Sequence, residues 1–481
     1  MTSPGLALFT GPVGAAMRTV PPLLSPAAPV AQAIEAMRAA DESSVIVVDE
    51  AGRAVGILTE RDVLRRVAFR LPADAPVSAA MSAPVRSVPQ DERLYRAVGL
   101  MRAHGLRHLP VVDGKGRPLG MLRRFETYAA ASARLLAAVE TLARGDDEAG
   151  FAATRAAQAG LARTLLDEGL PAAEVIGVVS EINLDIHRWV VERALAVAGP
   201  PPVPFTLLVM GSAGRGESQL APDQDNGLIL QDYDDARHGE VDAWFIPFAE
   251  DLNRRLEAAG FPLCKGHVMA RNPVWRKTLT QWKAQVTLWA ERRSPVALLF
   301  GDIAFDFRPV WGDAQPAAAL REHLKRTLAA HPVFLAALAA EDAKMTVGLS
   351  FWGGFRDDEP DRPGVRTDLK RSGLMPLVSA TRLLALKHGV AETGTRARLA
   401  ALAQLGPVSQ AEAEGLAAAF ERLAGALLRQ QLDDVAAGRP PGTLVELPAL
   451  PRAEQAAIRA AMKRVASFQK GVVSSFGGGV W

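Results

Sequence analysis

Asp223 and Asp225 sit at alternate positions a few residues after a Gly211-Ser212 turn. They directly precede an apolar run, 227–230, that reads as a strand. Side chains two apart on a strand share a face, so both carboxylates can aim at one spot. Hard oxygen donors at such a spot suit Mg²⁺, or Mn²⁺, carried in on nucleotide phosphates. The Gly211-Ser212 turn follows a second apolar run, 206–210, and offers backbone N–H groups and a hydroxyl to the same phosphates. These are the parts of a metal-dependent nucleotidyl-transfer site. The segment is not a P-loop, because no Gly-Lys-Ser/Thr follows. Its glycine spacing also differs from the dinucleotide fingerprint. A lone Asp-x-Asp is ordinarily a solvated turn; the Gly-Ser turn at the end of the preceding strand sets this one apart.

The flanking sequence must hold this spot in place. Residues 130–198 carry Ala and Leu at helical spacing, broken at Gly145-Asp146-Asp147 and Gly169-Leu170-Pro171. His187 and Trp189 fall on one of these helices and read as surface and core. Gly199-Pro200-Pro201-Pro202 ends the helical stretch and leads into the strand before the turn. Arg215 is a candidate phosphate contact, with Glu217 placed to hold it. Trp275, Trp282 and Trp289 recur every seven residues, which predicts one buried helix face. Cys264 reads as interior packing. His267 fits an auxiliary polar group or a structural histidine equally. From Gly312 onward helices dominate, over 317–340, 410–437 and 454–469, with a loose Gly-rich tail at 474–481.

The first part of the chain is a tandem repeat. Residues 46–58 and 110–122 match without a gap at an offset of 110 − 46 = 64. The same offset pairs Met17 with Met81 and Met37 with Met101. Each unit reads as a helix (30–40, 94–104), a strand, an Asp-x-x-Gly turn, a strand and a further helix. The pattern resembles a pair of CBS motifs over about 11–135. That resemblance implies a regulatory module that binds adenosine nucleotides (AMP, ADP or ATP). It places Thr59 and Asp62 of Thr59-Glu60-Arg61-Asp62 on ribose and phosphate. The second unit reads Arg123-Arg124-Phe125-Glu126, with arginine and glutamate in place of the hydroxyl and aspartate. A purely packing or dimerising role fits the same repeat, and Asp62 alone fits a helix cap.

Gly-Ser-x-Gly-Arg-x-Glu followed by Asp-Gln-Asp-Asn is similar to the nucleotidyltransferase-like domain of a family of signal-transduction proteins that join it to CBS pairs. It also resembles the PII uridylyltransferase and the glutamine synthetase adenylyltransferase. The resemblance implies a short mixed sheet in which Gly211 and Ser212 hold a triphosphate and Asp223 and Asp225 bind two divalent ions. It implies a third carboxylate on a later strand. The segment 260–270 looks like that strand and holds no acid, which leaves Asp302 or Asp306 as substitutes. In such relatives an Asp-Leu-Lys element of the attached helical domain faces the cleft. Here that element is Asp368-Leu369-Lys370, which makes Lys370, with Arg382, a candidate phosphate contact.

Bulk properties bound these readings. The 481 residues are 49% hydrophobic and 22% charged, with net charge +2. This is an ordinary globular balance, with no basic surplus for nucleic acid or acidic membranes. The single cysteine allows no internal disulfide, and no apolar run approaches a membrane span or signal peptide, so a cytoplasmic protein is expected. The expected architecture is α/β plus α: a tandem CBS pair (11–135), a mixed-sheet nucleotidyltransferase-like domain with preceding helices (136–311), and a C-terminal helical domain (312–472). The expected function is transfer of a nucleoside monophosphate from an NTP to an acceptor, a hydroxyl on a partner protein, under control of the CBS pair. A homodimer through that pair is expected. The rival expectation is a nucleotide-sensing protein whose transferase fold has lost its chemistry.

Overall fold

The computed structural model describes residues 12–123 and 148–477, apart from 69, 168, 351–352 and 360–364. The chain divides into two compact units, Met1–Gly145 and Asp146–Trp481. The further helix expected after the second repeat, with Glu126, lies outside the described residues.

In the first unit, β1 (Leu23–Leu24) runs parallel to β2 (Ser44–Val48), which pairs antiparallel with β3 (Ala54–Thr59). β4 (Val88–Pro89), β5 (His108–Val112) and β6 (Pro118–Arg123) repeat that arrangement. The register repeats too: Ser44 faces Thr59 as His108 faces Arg123, and irregularities fall at Val47/Val48 and Val111/Val112. The hairpin turns share one cause. Asp49 Oδ1 accepts the N–H groups of Ala51 and Arg53, and Asp113 Oδ1 accepts those of Lys115 and Arg117. A short carboxylate that bonds the backbone two residues on makes a turn by itself. The helix Val30–Ala40 buries Val30, Ala33 and Met37 at helical spacing against Val45, Val47 and Leu58. Met81 packs on Gly56 and Met17 on Gly120, which accounts for the methionine pair at the repeat offset.

The second unit is built on a four-stranded mixed sheet. β7 (Phe205–Val209) and β8 (Asn226–Leu230) are antiparallel and buried along their whole length. β9 (Arg276–Thr278) lies parallel to β8, and β10 (Arg308–Trp311) closes the other edge beside β7, in the order β10-β7-β8-β9. Phe205 packs against Phe245, Phe248 and Trp311. Trp275 packs against Trp282, Trp289 and Phe300.

Several expectations need correction. The segment 260–270 is a turn-rich loop, and the later strand is β9, which also holds no acid. Trp282 and Trp289 share the helix Leu279–Arg292, whereas Trp275 lies in the preceding turn Pro273–Trp275. His187 is 4% exposed, hence core. The predicted helix over 317–340 is two helices, Gln315–Ala330 and Pro332–Asp342, because proline cannot continue the hydrogen-bond ladder and restricts the residue before it. The last helix runs on from Arg452 to Gly477, into the first half of the expected tail. With Met375–Lys387, Thr395–Leu405 and Gln410–Ala436, these helices form the α-helical part of the unit. Among the described residues no helix is long and apolar enough to cross a membrane.

Candidate functional site

The segment before β8 alternates two kinds of side chain. Gln224 and Asn226 are fully buried. Gln224 Nε2 donates to the carbonyls of Asn253 and Phe261, each at 2.9 Å. Asn253 Nδ2 donates to Gln224 Oε1 at 2.8 Å and to Asn226 Oδ1 at 3.0 Å. Asn226 Oδ1 also accepts the Ala270 N–H at 2.9 Å. These amides fix the segment to the helix His238–Ala258 and to the loop 261–270. Buried amide groups are stable only when paired, so the network allows one position for the chain. Alternation then turns Asp223 and Asp225 the other way. Asp223 is exposed and Asp225 half-buried.

Asp225 sits tightly against the Gly211 turn. The Met210 N–H donates to the Asp225 carbonyl at 2.8 Å. Gly211 has φ +57°, and a Cβ placed there would lie 2.8 Å from Asp225 Oδ2. Only glycine meets both demands. The turn Gly211–Arg215 opens with the amides of Gly211, Ser212 and Ala213, the first-turn donors that helical bonding leaves open. Burial, then the charge of Asp223, pushes the Asp225 carboxyl up to about 7. A hydrogen bond from the Cys264 thiol and the fields of Lys370 and Arg215 pull it the other way.

Cys264 is the residue that sequence reasoning assigned to plain packing. It is 7% exposed, and its sulfur and one oxygen each of Asp223 and Asp225 lie within 4.8 Å of one another. Burial, then Asp225, pushes the thiol up to about 12, against hydrogen bonds from the Val268 and Gly266 amides. The signal that could have found it was its place in the loop where an acid was expected. The donor chemistry suits a divalent ion: two carboxylates supply hard oxygens, and Asp223 places a like charge beside Asp225.

Arg215 and the candidate third carboxylate have another role. Arg215 Nε donates to Glu217 at 2.9 Å and Nη1 to Asp306 at 2.8 Å, with the arginine side chain 7% exposed. Asp306 is fully buried and is also met by Arg382 at 3.0 Å and Arg398 at 2.6 Å. A carboxylate saturated by three guanidinium groups is no metal ligand, which corrects the reading of Asp306. It corrects Arg382 as well, which is 3% exposed and faces Asp306 rather than substrate. Arg215 likewise pairs with two carboxylates, and its field reaches Asp225. The side chain of Asp302 lies outside the described residues. The cluster fastens the turn to the helical part: Thr393 Oγ1 donates to the Gly214 carbonyl at 2.9 Å, and Thr395 N–H to Glu217 at 2.5 Å. A Cβ on Gly214 would fall 1.9 Å from the Asp306 carbonyl, so the turn approaches Asp306 through its backbone.

In the first unit, Thr59 and Asp62 are bonded to each other. Thr59 Oγ1 donates to Asp62 Oδ2 at 2.7 Å, and the two form a capping box on the turn Glu60–Asp62. They line a cavity of about 480 Å³ with Ser43, Arg65, Arg107 and His108. A second cavity, about 720 Å³, is lined by Asp41, Glu42, Ser43, Glu60 and Arg123, among others. There Arg123 forms an ion pair with Glu42.

Comparison with known proteins matches three family models. Residues 13–68 and 77–126 match the CBS domain. Residues 156–296 match "Putative nucleotidyltransferase DUF294", and 332–476 match "Putative nucleotidyltransferase substrate binding domain". A 17.7 kDa protein of Acidianus ambivalens is 32% identical over 100 residues, 21% of this chain and 60% of that protein. A Methanopyrus kandleri protein is 36% identical over 88 residues, 18% of this chain and 45% of its own. The chain therefore spans about half the length of these two relatives. Inosine-5'-monophosphate dehydrogenase of Mycobacterium tuberculosis is 36% identical over 81 residues, 17% of this chain and 15% of the enzyme. Among solved structures, a conserved Pyrococcus horikoshii protein is 24% identical and covers 26% of this chain and 96% of its own, with a TM-score of 0.24. A CBS domain protein of Pyrobaculum aerophilum, solved with AMP, is 24% identical and covers 24% of this chain and 88% of its own, with a TM-score of 0.23. The chain thus carries a CBS pair, a DUF294 domain and that domain's C-terminal companion.

Proposed function

We propose that this chain, a CBS pair joined to a DUF294 nucleotidyltransferase, moves a nucleoside monophosphate from an NTP to a hydroxyl on a protein acceptor. The observation that carries the reading is the packing of Gly211 against Asp225 Oδ2, which sets the Gly211–Arg215 turn directly beside two convergent carboxylates. Asp223 and Asp225 would hold Mg²⁺ or Mn²⁺. A bound divalent ion neutralises phosphate charge and orders in-line attack. The Gly211 and Ser212 amides and the Ser212 hydroxyl hold the phosphates. Lys370, whose field reaches Asp225, supplies positive charge from the helical part. Asp306 and its arginines keep the turn fixed. Pyrophosphate leaves as the acceptor oxygen bonds the α-phosphorus. In the first unit, Thr59 and Asp62 hold the ribose and phosphate of an adenine nucleotide, and the pair dimerises. Control of transfer requires that nucleotide to bind two arrangements of the chain unequally. The cytoplasm supplies both nucleotides.

The test is thermal unfolding of wild type and Asp225→Asn with each NTP, with and without Mg²⁺ or Mn²⁺. A metal-dependent shift lost in the mutant supports the transferase reading; an identical shift in both proteins removes it. A second reading, a nucleotide sensor without chemistry, is favoured by one observation. The cluster at Asp223 and Asp225 is completed by a thiol rather than a third carboxylate, and Asp306 is met by arginines. A metal-independent adenylate shift alone supports that reading.

A further inference from the structure

Where a third carboxylate was expected, the loop 261–270 brings the only cysteine of the chain to Asp223 and Asp225. Two metal-bound donors lie no further apart than the sum of their bond lengths, about 4.5 Å for one sulfur at about 2.3 Å and one oxygen at about 2.2 Å. Cys264 Sγ and the two carboxylate oxygens lie within 4.8 Å of one another, so an ion shared by all three draws the loop and the aspartate segment together. The amides of Gly266 and Val268 donate to that sulfur and orient it within the loop. The chain reverses for this at His267, a non-glycine residue with φ +55°. The helix–loop amide network holds the same loop against the aspartate segment, through Phe261 and Ala270.

We propose that Cys264 is the third protein ligand of the divalent ion at Asp223 and Asp225, and that its sulfur tunes the site toward thiophilic ions over Mg²⁺. This rests on the metal-site reading above. Binding forms a sulfur–metal bond, and the thiol proton leaves to solvent. Mg²⁺ takes oxygen ligands and gains little from sulfur, whereas Zn²⁺, Cd²⁺ and, to a lesser degree, Co²⁺ and Mn²⁺ accept it. The site would thus select its ion by donor type, within an otherwise hard pair of carboxylates.

The experiment is titration of the full, metal-free chain with Co²⁺, Cd²⁺ and Mg²⁺, followed by calorimetry and near-ultraviolet absorption. It is run on wild type, Cys264→Ser, Cys264→Asp and Asp225→Asn. The expected result is a thiolate-to-metal absorption band in wild type that is absent from Cys264→Ser. The Cd²⁺-to-Mg²⁺ affinity ratio should fall by roughly 10–100-fold in Cys264→Ser, the scale on which even supporting groups alter metal affinity. Cys264→Asp should reverse the preference toward Mg²⁺, and it guards against misreading a variant that fails to fold. Metal binding by wild type without a sulfur band, and with equal ratios in Cys264→Ser, overturns the ligand assignment but leaves the metal site standing. No binding of any ion to wild type overturns both readings. Binding unchanged in Asp225→Asn places the ion elsewhere and also overturns both.

Discussion

Asp225 and Asp306 belong to the same compact unit and flank the same Gly211–Arg215 turn, yet their surroundings are opposite. Asp306 is met by Arg215, Arg382 and Arg398. Asp225 has a second carboxylate and a thiol as its nearest polar company, with Lys370 and Arg215 acting only through their fields. The first centre is over-supplied with positive charge and closed; the second is short of it and half-open. A buried ion whose partners are already present contributes to architecture. A half-buried carboxylate pressed toward its neutral form by burial and by one like charge is positioned for a cation that arrives from outside. The contrast decides between two aspartates that residue type alone could not separate.

Removing the closed centre should have the largest effect. Asp306→Ala leaves three buried arginines without their shared counter-ion, and breaking such a buried pair costs about 3–5 kcal/mol. Urea denaturation of the full chain should show that loss, whereas Asp225→Asn without metal should show little or none. Equal losses would abolish the distinction. Next comes the open centre. Wild type at about 100 times the dissociation constant of its metal–NTP should gain about 2.7 kcal/mol, read as a raised unfolding temperature. Asp225→Asn should gain none of it.

A third buried carboxylate sharpens the comparison by pH. Burial, then Glu341, pushes Asp342 up to about 7 from 3.8. The folded protein then binds the extra proton between pH 4 and 7. The stability from this group is present below pH 4 and lost as pH rises through 7, at up to about 1.4 kcal/mol per pH unit. Asp342→Asn should flatten that part of the stability–pH curve. An unchanged curve would show that Asp342 is ionised throughout. The smallest effect belongs to the first unit. Asp62→Ala removes the N3 half of the capping box on Thr59, and should weaken an adenylate thermal shift while leaving the metal–NTP shift intact. A full adenylate shift in that variant would assign the cavity to another ligand.

Much of this was legible along the chain. The repeat offset of 64 residues specified two matching hairpins, and Asp49 and Asp113 make their turns with neighbours two and four residues away. The Asp223-Gln224-Asp225-Asn226 alternation placed the carboxylates on one face, because strand geometry is a short-range rule. The single glycine at position 211 marked the turn. The break at Pro332 was also legible in principle, but the strong Ala–Leu pattern on both sides of it suggested one helix.

What sequence could not supply was which charges meet. Arg215, Asp306, Arg382 and Arg398 come from four separate elements, and no local spacing announces their cluster. No spacing along the chain shows that Asn253, on a distant helix, completes the hydrogen bonds of Gln224 and Asn226. Cys264 looked like a buried packing residue until the loop brought its sulfur to two carboxylates. Alternation, turn chemistry and repeat spacing act over a few bonds and can be read in order. Burial and charge pairing act through space, so only the folded chain decided which aspartate is locked and which is left to hold a metal.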